Sequence, residues 1–231
     1  MRHPLPWVAG VPIAAWLLPA PAAHVPPLCA ALGIRRRVDG AGDAVGLTFD
    51  DGPHRLGTPA VLRALDAGKA TATFFVVGEQ IRRDPGVARE VLAAGHDLAV
   101  HGDRHRNLAR IPPRALRADL DRCAALVEDL TGRPVRHYRP PYGIFSPAAL
   151  GEAHRRGWVP MLWSRWGCDW RSSATAGSIL ARIGADVGAG DVVLLHDADD
   201  YSAAGSWRAT AAAVPRLLGL LAERGLRARP L

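Results

Sequence analysis

The sequence predicts an α/β fold in which the strands form a parallel sheet or barrel. Short apolar segments alternate with segments of helical periodicity, and no internal repeat or low-complexity linker interrupts them. Polar motifs follow several predicted strands directly, which is the end of a barrel at which enzymes carry their reactive groups. With 231 residues and 48% hydrophobic content, the chain can bury a substantial core as one domain, and a disordered chain is excluded.

The predicted strands are short and rich in Val, Leu, Phe and Thr. They cover residues 45–48, 71–77, 97–100, 158–163 and 191–195. The first strand ends at a pair of aspartates, the third delivers His101, and the last ends at His196. Residues 135–139 lead into a Pro-Pro-Tyr-Gly turn. These strand ends are the expected positions of the reactive side chains.

Six further segments have the apolar spacing and the end signals of helices. They cover residues 58–66, 84–94, 113–130, 146–156, 178–187 and 210–224. The third is the clearest, because Leu116, Leu120, Ala124 and Val127 recur at helical spacing. Gly95 after the second segment is typical of a helix C-terminus.

The N-terminal segment differs from the rest of the chain. Arg2 and His3 precede a mostly apolar stretch that contains an Ala-Pro-Ala sequence resembling a signal-peptidase site. Seven prolines before residue 28 disfavour a regular membrane-spanning helix. Residues 1–43 are therefore predicted to be an apolar, proline-rich leader or N-terminal arm, and residues 44–231 the functional domain. The expected location is the cell envelope, by export or membrane association, with the cytoplasm as the alternative.

Charge and cysteine content exclude some function classes. The net charge of +7 comes from scattered arginines, since Lys69 is the only lysine, and no basic stripe interleaves with aromatic residues. No nucleic-acid partner is therefore predicted. Cys29, Cys123 and Cys168 are odd in number and lack CxxC spacing, so neither a disulfide framework nor a thiolate zinc site is expected.

Two motifs suggest a metal-assisted hydrolytic site. Asp50 and Asp51 stand side by side after an apolar run, so one can hold a metal while the other acts as a base. Because adjacent side chains of an extended chain point to opposite faces, different roles are expected for the two. His101 and His105 have the i, i+4 spacing that brings both onto one face of a helical turn. Alone, the aspartates could form an ordinary turn and the histidines a solvated helix face.

The chain resembles the polysaccharide deacetylase family, the NodB-homology carbohydrate esterases that remove N-acetyl groups from chitin-like or peptidoglycan glycans. The resemblance covers roughly residues 44–226. It rests on five motifs in the same order, Thr48-Phe49-Asp50-Asp51-Gly52-Pro53, His101-Gly102-Asp103-Arg104-His105, Arg139-Pro140-Pro141-Tyr142-Gly143, Asp169-Trp170 and Leu194-Leu195-His196. It implies a single-domain, distorted (β/α) barrel of the NodB-homology type. It also implies a divalent metal, zinc in the first place with cobalt or nickel as alternatives.

The resemblance assigns roles to the first three motifs. Asp51, His101 and His105 would hold the metal. Asp50 would be the general base, and Arg139 would position it. The partner implied is an N-acetylated glycan, which would be hydrolysed to acetate and a free amino sugar.

The last two motifs and the Tyr142 turn receive roles in the same way. His196 would be the general acid, supported by Asp169. Trp170 would wall the substrate groove, and Leu194 would contact the acetyl methyl group. A backbone N–H near Tyr142 would stabilise the oxyanion.

Three features depart from the family pattern or extend it. Gly102 stands where members usually have Ser or Thr, which affects the surroundings of the metal ligands more than the ligands themselves. Trp166 stands where members often carry an aspartate, so a bulky ring is expected to reshape the groove. The segment 197–207 is long and acidic at its start, and is predicted either to cap the site or to select the substrate.

Two alternative functions use the same residues. A non-haem iron oxygenase would take His101 and Asp103 as ligands, with His154 or His196 as the third. Such sites normally lie in all-β folds, and this reading leaves the aspartate pair without a role. The other alternative is a degenerate enzyme, a metal-bearing carbohydrate-binding module, against which the intact set of metal, base and acid candidates argues.

Overall fold

One parallel sheet organises the molecule, whose computed structural model describes residues 25–184 and 186–231. Residues 1–24 of the predicted leader lie outside the described residues. The strands are β1 (Ala44–Asp50), β2 (Thr73–Val77), β3 (Asp97–Gly102), β4 (His137–Tyr138), β5 (Val159–Pro160), β6 (Arg165–Trp166), β7 (Val192–His196) and β8 (Arg227–Arg229). The spatial order is β5-β4-β3-β2-β1-β7-β6, with β8 paired to β1.

The register of the sheet brings the strand ends together. All strand pairs in this order are parallel, and Asp50 lies opposite both Phe75 and His196. On the far side of β7, Trp166 lies opposite Leu194. The carboxyl ends of β1, β6 and β7 therefore meet at one edge of the sheet, as predicted for a parallel α/β fold.

The sheet curves into a barrel that is only partly closed. The edge strands β5 and β6 do not pair with each other. The chain around Arg35 lies beside β5 and forms hydrogen bonds with its backbone. The Arg35 amide donates to the Pro160 carbonyl (2.8 Å), and the Leu162 amide donates to the Arg35 carbonyl (2.7 Å). The distorted (β/α) barrel expected from the resemblance is confirmed.

Helices flank the sheet. They are α1 (Pro26–Ala31), α2 (Gly57–Ala67), α3 (Gly78–Arg83), α4 (Pro85–Ala93), α5 (Pro113–Thr131), α6 (Pro147–Arg155), α7 (Ala176–Ile183) and α8 (Trp207–Ala222). The predicted apolar stripe of α5 is buried, and Gly132 ends this helix with a positive φ of 64°. Thr175 and Ser178 form a reciprocal capping box that begins α7 two residues before its predicted start.

Several local predictions are wrong. Residues 158–163, predicted as one strand, contain only the two-residue β5, in which Pro160 has no N–H to donate to a ladder. The chain then bends and forms β6 separately. The sequence pattern also missed α1, α3 and β8. His101 and His105 do not share a helical turn, because His101 lies within β3, one residue before its end, and His105 lies in the following loop.

The described part of the N-terminal arm, residues 25–43, packs against the domain. Cys29 and Ile34 are buried and belong to the same hydrophobic core as the sheet. Within residues 25–184 and 186–231, every helix is too short or too polar to cross a bilayer. The division at residue 43 stays a prediction.

Candidate active site and metal centre

A cleft of about 280 Å³ opens at the carboxyl edge of the sheet. Eight of the ten predicted site residues line it, namely Asp50, Asp51, His101, His105, Tyr142, Trp170, Leu194 and His196. The other two, Arg139 and Asp169, are fully buried behind the cleft and contact residues that line it. The sequence motifs therefore converge on one site although they are separated by as many as 146 positions, from residue 50 to residue 196.

Asp51, His101 and His105 form a three-residue cluster with one ligand atom each. The Asp51 Oδ1 atom lies 3.4 Å from His101 Nε2 and 3.2 Å from His105 Nε2. The three ligand atoms lie within 4.8 Å of one another. Burial opposes ionisation, but the two neighbouring imidazoles hold the pKa of Asp51 below its usual range. The cluster is thus a carboxylate and two imidazoles that face a common point.

The cluster fits a divalent cation. Asp51 Oδ1 is buried and has no hydrogen-bond partner among the described residues, so a strong acceptor is left to a ligand. The His101 Nδ1 atom lies 2.8 Å from the Arg139 carbonyl, a contact that directs the Nε2 atom of this ring toward Asp51. Two nitrogens and one carboxylate oxygen match the three protein ligands of catalytic zinc sites.

Asp50 faces the same cleft but has different partners. Arg139 Nη1 donates to Asp50 Oδ1 at 2.6 Å and to Thr48 Oγ1 at 2.9 Å. The other Asp50 oxygen, Oδ2, lies 3.9 Å from His101 Nε2 and so points toward the histidine cluster. The guanidinium is held further by the Met161 and Leu162 carbonyls and lies 4.0 Å from the centre of the Phe75 ring.

The backbone explains how two neighbouring aspartates reach one cleft. The expectation of opposite faces assumed an extended chain, but Asp51 has a positive φ of 81° just beyond the end of β1. Behind this turn, Asp197 accepts a hydrogen bond from Thr58 and packs so closely on Gly52 that a Cβ there would clash. Burial raises the pKa of Asp197 to about 7, although the hydrogen bond from Thr58 acts in the opposite direction. The two side chains share a cleft but have different partners, and their different roles stay a prediction.

His196 and Asp169 form a buried dyad opposite the histidine cluster. His196 Nδ1 lies 2.8 Å from Asp169 Oδ1, while Asp169 Oδ2 accepts from the His196 amide and from Thr210 Oγ1, both at 2.7 Å. Burial lowers the pKa of His196, but the carboxylates of Asp169, Asp51 and Asp50 together outweigh burial and raise it to about 10. His196 is therefore an imidazolium at neutral pH.

Aromatic rings form one wall of the cleft. Trp163 and Trp166 stack with 5.7 Å between ring centroids, Trp170 follows 5.4 Å from Trp166, and His196 lies 5.5 Å beyond it. Trp166, the departure from the family pattern, thus lies in the middle of this row. Tyr142 stands apart from it, with 56% of its surface exposed and a positive φ of 61°.

Backbone conformation explains why glycine occupies position 102. Its φ of 122° is one that side chains other than glycine rarely adopt, and a Cβ would lie 3.2 Å from Asp119 Oδ2. The Asp119 carboxylate accepts a hydrogen bond from the Asp103 amide at 2.8 Å and so fixes the loop between His101 and His105. Backbone geometry therefore disfavours, in this chain, the hydroxyl residue usual at this position in the family.

The oxygenase alternative is not supported by the geometry around Asp103. Its carboxylate accepts hydrogen bonds from Arg82 at 2.6 Å and from Arg122 at 2.8 Å. These two guanidinium groups occupy both carboxylate oxygens, so Asp103 does not join His101 at a common centre.

The segment between His196 and α8, residues 197–206, forms a strap along the rim of the cleft. Tyr201 and Ser202 of the strap line the cleft, and neither was predicted as a site residue. The length of the segment and its acidic start were the sequence signals. Thr48 was also missed as a partner of Arg139, although it begins the aspartate motif.

A second cluster, His54, Asp199 and Asp200, anchors the strap. His54 Nδ1 accepts the Gly57 amide at 2.8 Å, so the proton of the neutral ring lies on Nε2. That nitrogen lies 3.2 Å from Asp199 Oδ1. This polar contact ties the strap to the segment that precedes α2.

Known proteins resemble the chain over most of its length. The polysaccharide deacetylase family model matches residues 37–160. The chitooligosaccharide deacetylase of Azorhizobium caulinodans is 31% identical over 207 residues, which cover 87% of this chain and 98% of that protein. A peptidoglycan-N-acetylglucosamine deacetylase of Bacillus cereus is 33% identical over 185 residues, which cover 79% of this chain and 84% of that protein. The crystal structure of the Bc1960 peptidoglycan N-acetylglucosamine deacetylase matches with a TM-score of 0.79 and 26% identity, over 86% of this chain and 91% of that chain.

Proposed function

Because the chain belongs to the polysaccharide deacetylase family, and is thus a hydrolase of that class, we propose that it removes N-acetyl groups from an amino-sugar glycan in a metal-dependent reaction. The products would be acetate and the free amine. The observation that carries this proposal is the convergence of the Asp51-His101-His105 cluster, Asp50 and His196 on one cleft. The names of the relatives support a chitin-oligomer or peptidoglycan-like substrate.

The metal we propose is zinc, and the ligand set also suits cobalt or nickel. Asp51, His101 and His105 would hold it. When bound, such an ion acts as a Lewis acid toward the amide oxygen and increases the acidity of water.

Asp50 acts as the general base in this proposal. Its Oδ1 atom is bound to Arg139, which leaves Oδ2 on the cleft side to accept the proton of the attacking water. The oxygen of that water forms a bond to the acetyl carbon. The backbone N–H of Tyr142, at the cleft rim, stabilises the negative charge that develops on the carbonyl oxygen.

His196 acts as the general acid. Its Nδ1 atom is bound to Asp169, so the proton on Nε2 is the one available to the leaving nitrogen. The raised pKa of His196, about 10, keeps this proton in place at neutral pH. Transfer of the proton accompanies cleavage of the carbon–nitrogen bond, because an amine leaves poorly until it is protonated.

The apolar residues of the cleft would bind the sugar and its acetyl group. Leu194 is buried beside His196 and would contact the acetyl methyl. The row of Trp163, Trp166 and Trp170 offers aromatic surface to the apolar face of a pyranose ring. Trp166 would then contribute stacking where many relatives would contribute a charge.

Acetate release tests the proposed function. Protein stripped of metal with a chelator would be given zinc, cobalt or nickel and assayed on N-acetylglucosamine oligomers, peptidoglycan and smaller N-acetyl glycosides. We expect acetate release that chelation abolishes and metal restores, together with loss of both metal and activity in His101→Ala. Metal binding without turnover on any substrate would favour the carbohydrate-binding alternative, and activity unaffected by chelation would exclude metal dependence.

We also propose that the protein works at the cell envelope. The support is the sequence of residues 1–43, with its basic start, apolar stretch and Ala-Pro-Ala site. Expression of the full chain followed by cell fractionation provides the test. Recovery in the membrane or exported fraction is expected, whereas recovery in the cytoplasmic fraction alone would contradict the proposal.

A further inference from the structure

His105 lacks the hydrogen bond that usually fixes a ligating imidazole. Metal-binding histidines normally donate from their second ring nitrogen to a carbonyl or carboxylate, and His101 makes such a contact with the Arg139 carbonyl. The Nδ1 atom of His105 is buried and has no hydrogen-bond partner among the described residues. Its position in a loop beyond β3 makes it freer than a strand residue. Another contact must therefore orient its ring.

That contact is the ring of Tyr201 in the strap. The Tyr201 and His105 rings are nearly parallel, with 4.3 Å between centroids and 12° between planes. Tyr142 contacts the same imidazole edge-on, at 4.4 Å and 65°. Two aromatic rings therefore hold His105, and the stacked ring is the one that restricts tilting of the imidazole plane.

Tyr201 is itself fixed at its far end. Its hydroxyl donates to Glu79 Oε1 at 2.6 Å and accepts from Gln80 Nε2 at 2.9 Å, both on the first turn of α3. Because the hydroxyl has partners in both roles, the phenol ring has one preferred position. Tyr142, by contrast, is mostly exposed.

The strap that carries Tyr201 is tied down on both sides of this residue. Asp200 pairs with Arg83 at 2.8 Å, and the Ala203 amide donates to the Trp170 carbonyl at 3.0 Å. With the His54 contact of Asp199, these bonds connect the strap to the segment that precedes α2, to α3 and to the tryptophan row. The ring over His105 is thus held in place from several elements.

We propose that Tyr201 is a positioning residue for His105, replacing by ring stacking the missing hydrogen bond at Nδ1. This inference rests on the proposed metal site. Orienting the imidazole before the metal binds reduces the conformational entropy lost on coordination. Loss of the ring should therefore weaken metal affinity, while loss of the hydroxyl alone should matter much less.

Cobalt binding followed by visible absorption tests the role without using activity. Metal-free protein would be titrated with Co²⁺, and the ligand-field bands would report both affinity and geometry. For Tyr201→Ala we expect a loss of affinity of about 10- to 100-fold and altered bands, as is typical when a residue supporting a ligand is removed. For Tyr201→Phe we expect parental bands and a loss smaller than about tenfold, since the ring stays.

Arg83→Ala provides the matched control, because it removes one tie of the strap to α3, the pair with Asp200, and leaves the Tyr201 ring bonded to Glu79 and Gln80. Thermal unfolding of the metal-free variants would verify that all of them fold. Cobalt affinity in Arg83→Ala should equal that of the parent. An equal loss in Arg83→Ala and Tyr201→Ala, or parental affinity in Tyr201→Ala, would overturn the role of Tyr201. A parent protein that binds no cobalt would overturn the metal site of the proposed function itself.

Discussion

At the scale of single residues, the site separates tasks by giving similar side chains different partners. Asp50 is paired with the buried Arg139, whereas Asp51 faces two imidazoles. His101 and His105 turn Nε2 toward a carboxylate oxygen, whereas His196 has Nδ1 bound to Asp169. The adjacent pair and the order of the motifs were evident from the sequence. The positive φ of Asp51 was not, because it lies at a turn packed against Asp197, a residue far away in the sequence.

The role of His196 predicts a substrate-dependent defect. His196→Asn should keep the metal but slow cleavage of the N-acetyl amide by about 10²–10⁴-fold, the usual contribution of a general acid. Cleavage of an activated acetyl ester should fall much less, since a phenolate leaves without protonation. Steady-state kinetics on both substrates and metal analysis measure these effects. Equal losses on the two substrates would argue against the general-acid role.

The position of Trp166 predicts an effect on substrate binding. Trp166→Ala should raise the KM for N-acetylglucosamine oligomers roughly two- to tenfold, which corresponds to ~0.5–1.5 kcal/mol of aromatic contact. The value of kcat should change little, because the rings that Trp166 contacts, Trp163 and Trp170, belong to the proposed sugar-binding wall.

Trp166→Phe, which keeps an aromatic face, is the control for that experiment. It should retain most of the parental KM. A drop in kcat with an unchanged KM in Trp166→Ala would show that the ring acts on the reaction and not on sugar binding.

At the scale of elements, the sequence pattern predicted the strands that are long and buried. The strands β1, β2, β3 and β7 have five to seven residues that are almost entirely buried, and all four were predicted. The two-residue strands β4, β5 and β6 are set by their neighbours in the curved sheet and carry little pattern of their own. The i, i+4 spacing of His101 and His105 suggested a helix, but Gly102 turns the chain and brings the rings together from a strand and a loop.

The contact between α5 and α6 predicts a pH-dependent stability. Glu152 on α6 accepts hydrogen bonds from Arg155 and from Arg117 on α5. These contacts, Arg155 first, lower the pKa of Glu152 to about 2 against a partial desolvation that raises it. A carboxylate with a lowered folded pKa stabilises the fold above its unfolded pKa, about 4.5. That contribution is lost as the pH falls from about 4.5 through about 2.

Glu152→Gln should therefore lower the free energy of unfolding by about 1–2 kcal/mol at pH 7, a figure reduced for solvent screening of the arginines. Urea unfolding at pH 7 and at pH 3 measures the difference, which should shrink at the lower pH. Glu90→Gln, on the exposed face of α4, is the control and should change little at either pH. A Glu152→Gln difference that grows at acid pH would contradict the assignment.

At the scale of the whole molecule, parallel topology made the site predictable. Side chains at the ends of parallel strands meet at one edge, so Asp50, His101 and His196 could be placed together from sequence alone. The strap could not be placed, because its course depends on distant contacts such as Tyr201 with Glu79. The same holds for the chain around Arg35, which fills the open side of the barrel through backbone hydrogen bonds that no side-chain pattern encodes.

The proposed mechanism depends most on the assignment of Asp51 as metal ligand and of Asp50 as base. Metal titration with parallel acetate-release assays on Asp50→Asn and Asp51→Asn tests this assignment directly. Asp51→Asn should bind metal weakly and recover part of its activity as metal is added, because an amide is a poorer ligand than a carboxylate. Asp50→Asn should bind metal like the parent and remain slower by about 10²–10⁴-fold at every metal concentration. Rescue of Asp50→Asn by metal, with no rescue of Asp51→Asn, would reverse the assignment, and parental activity in both variants would contradict the site altogether.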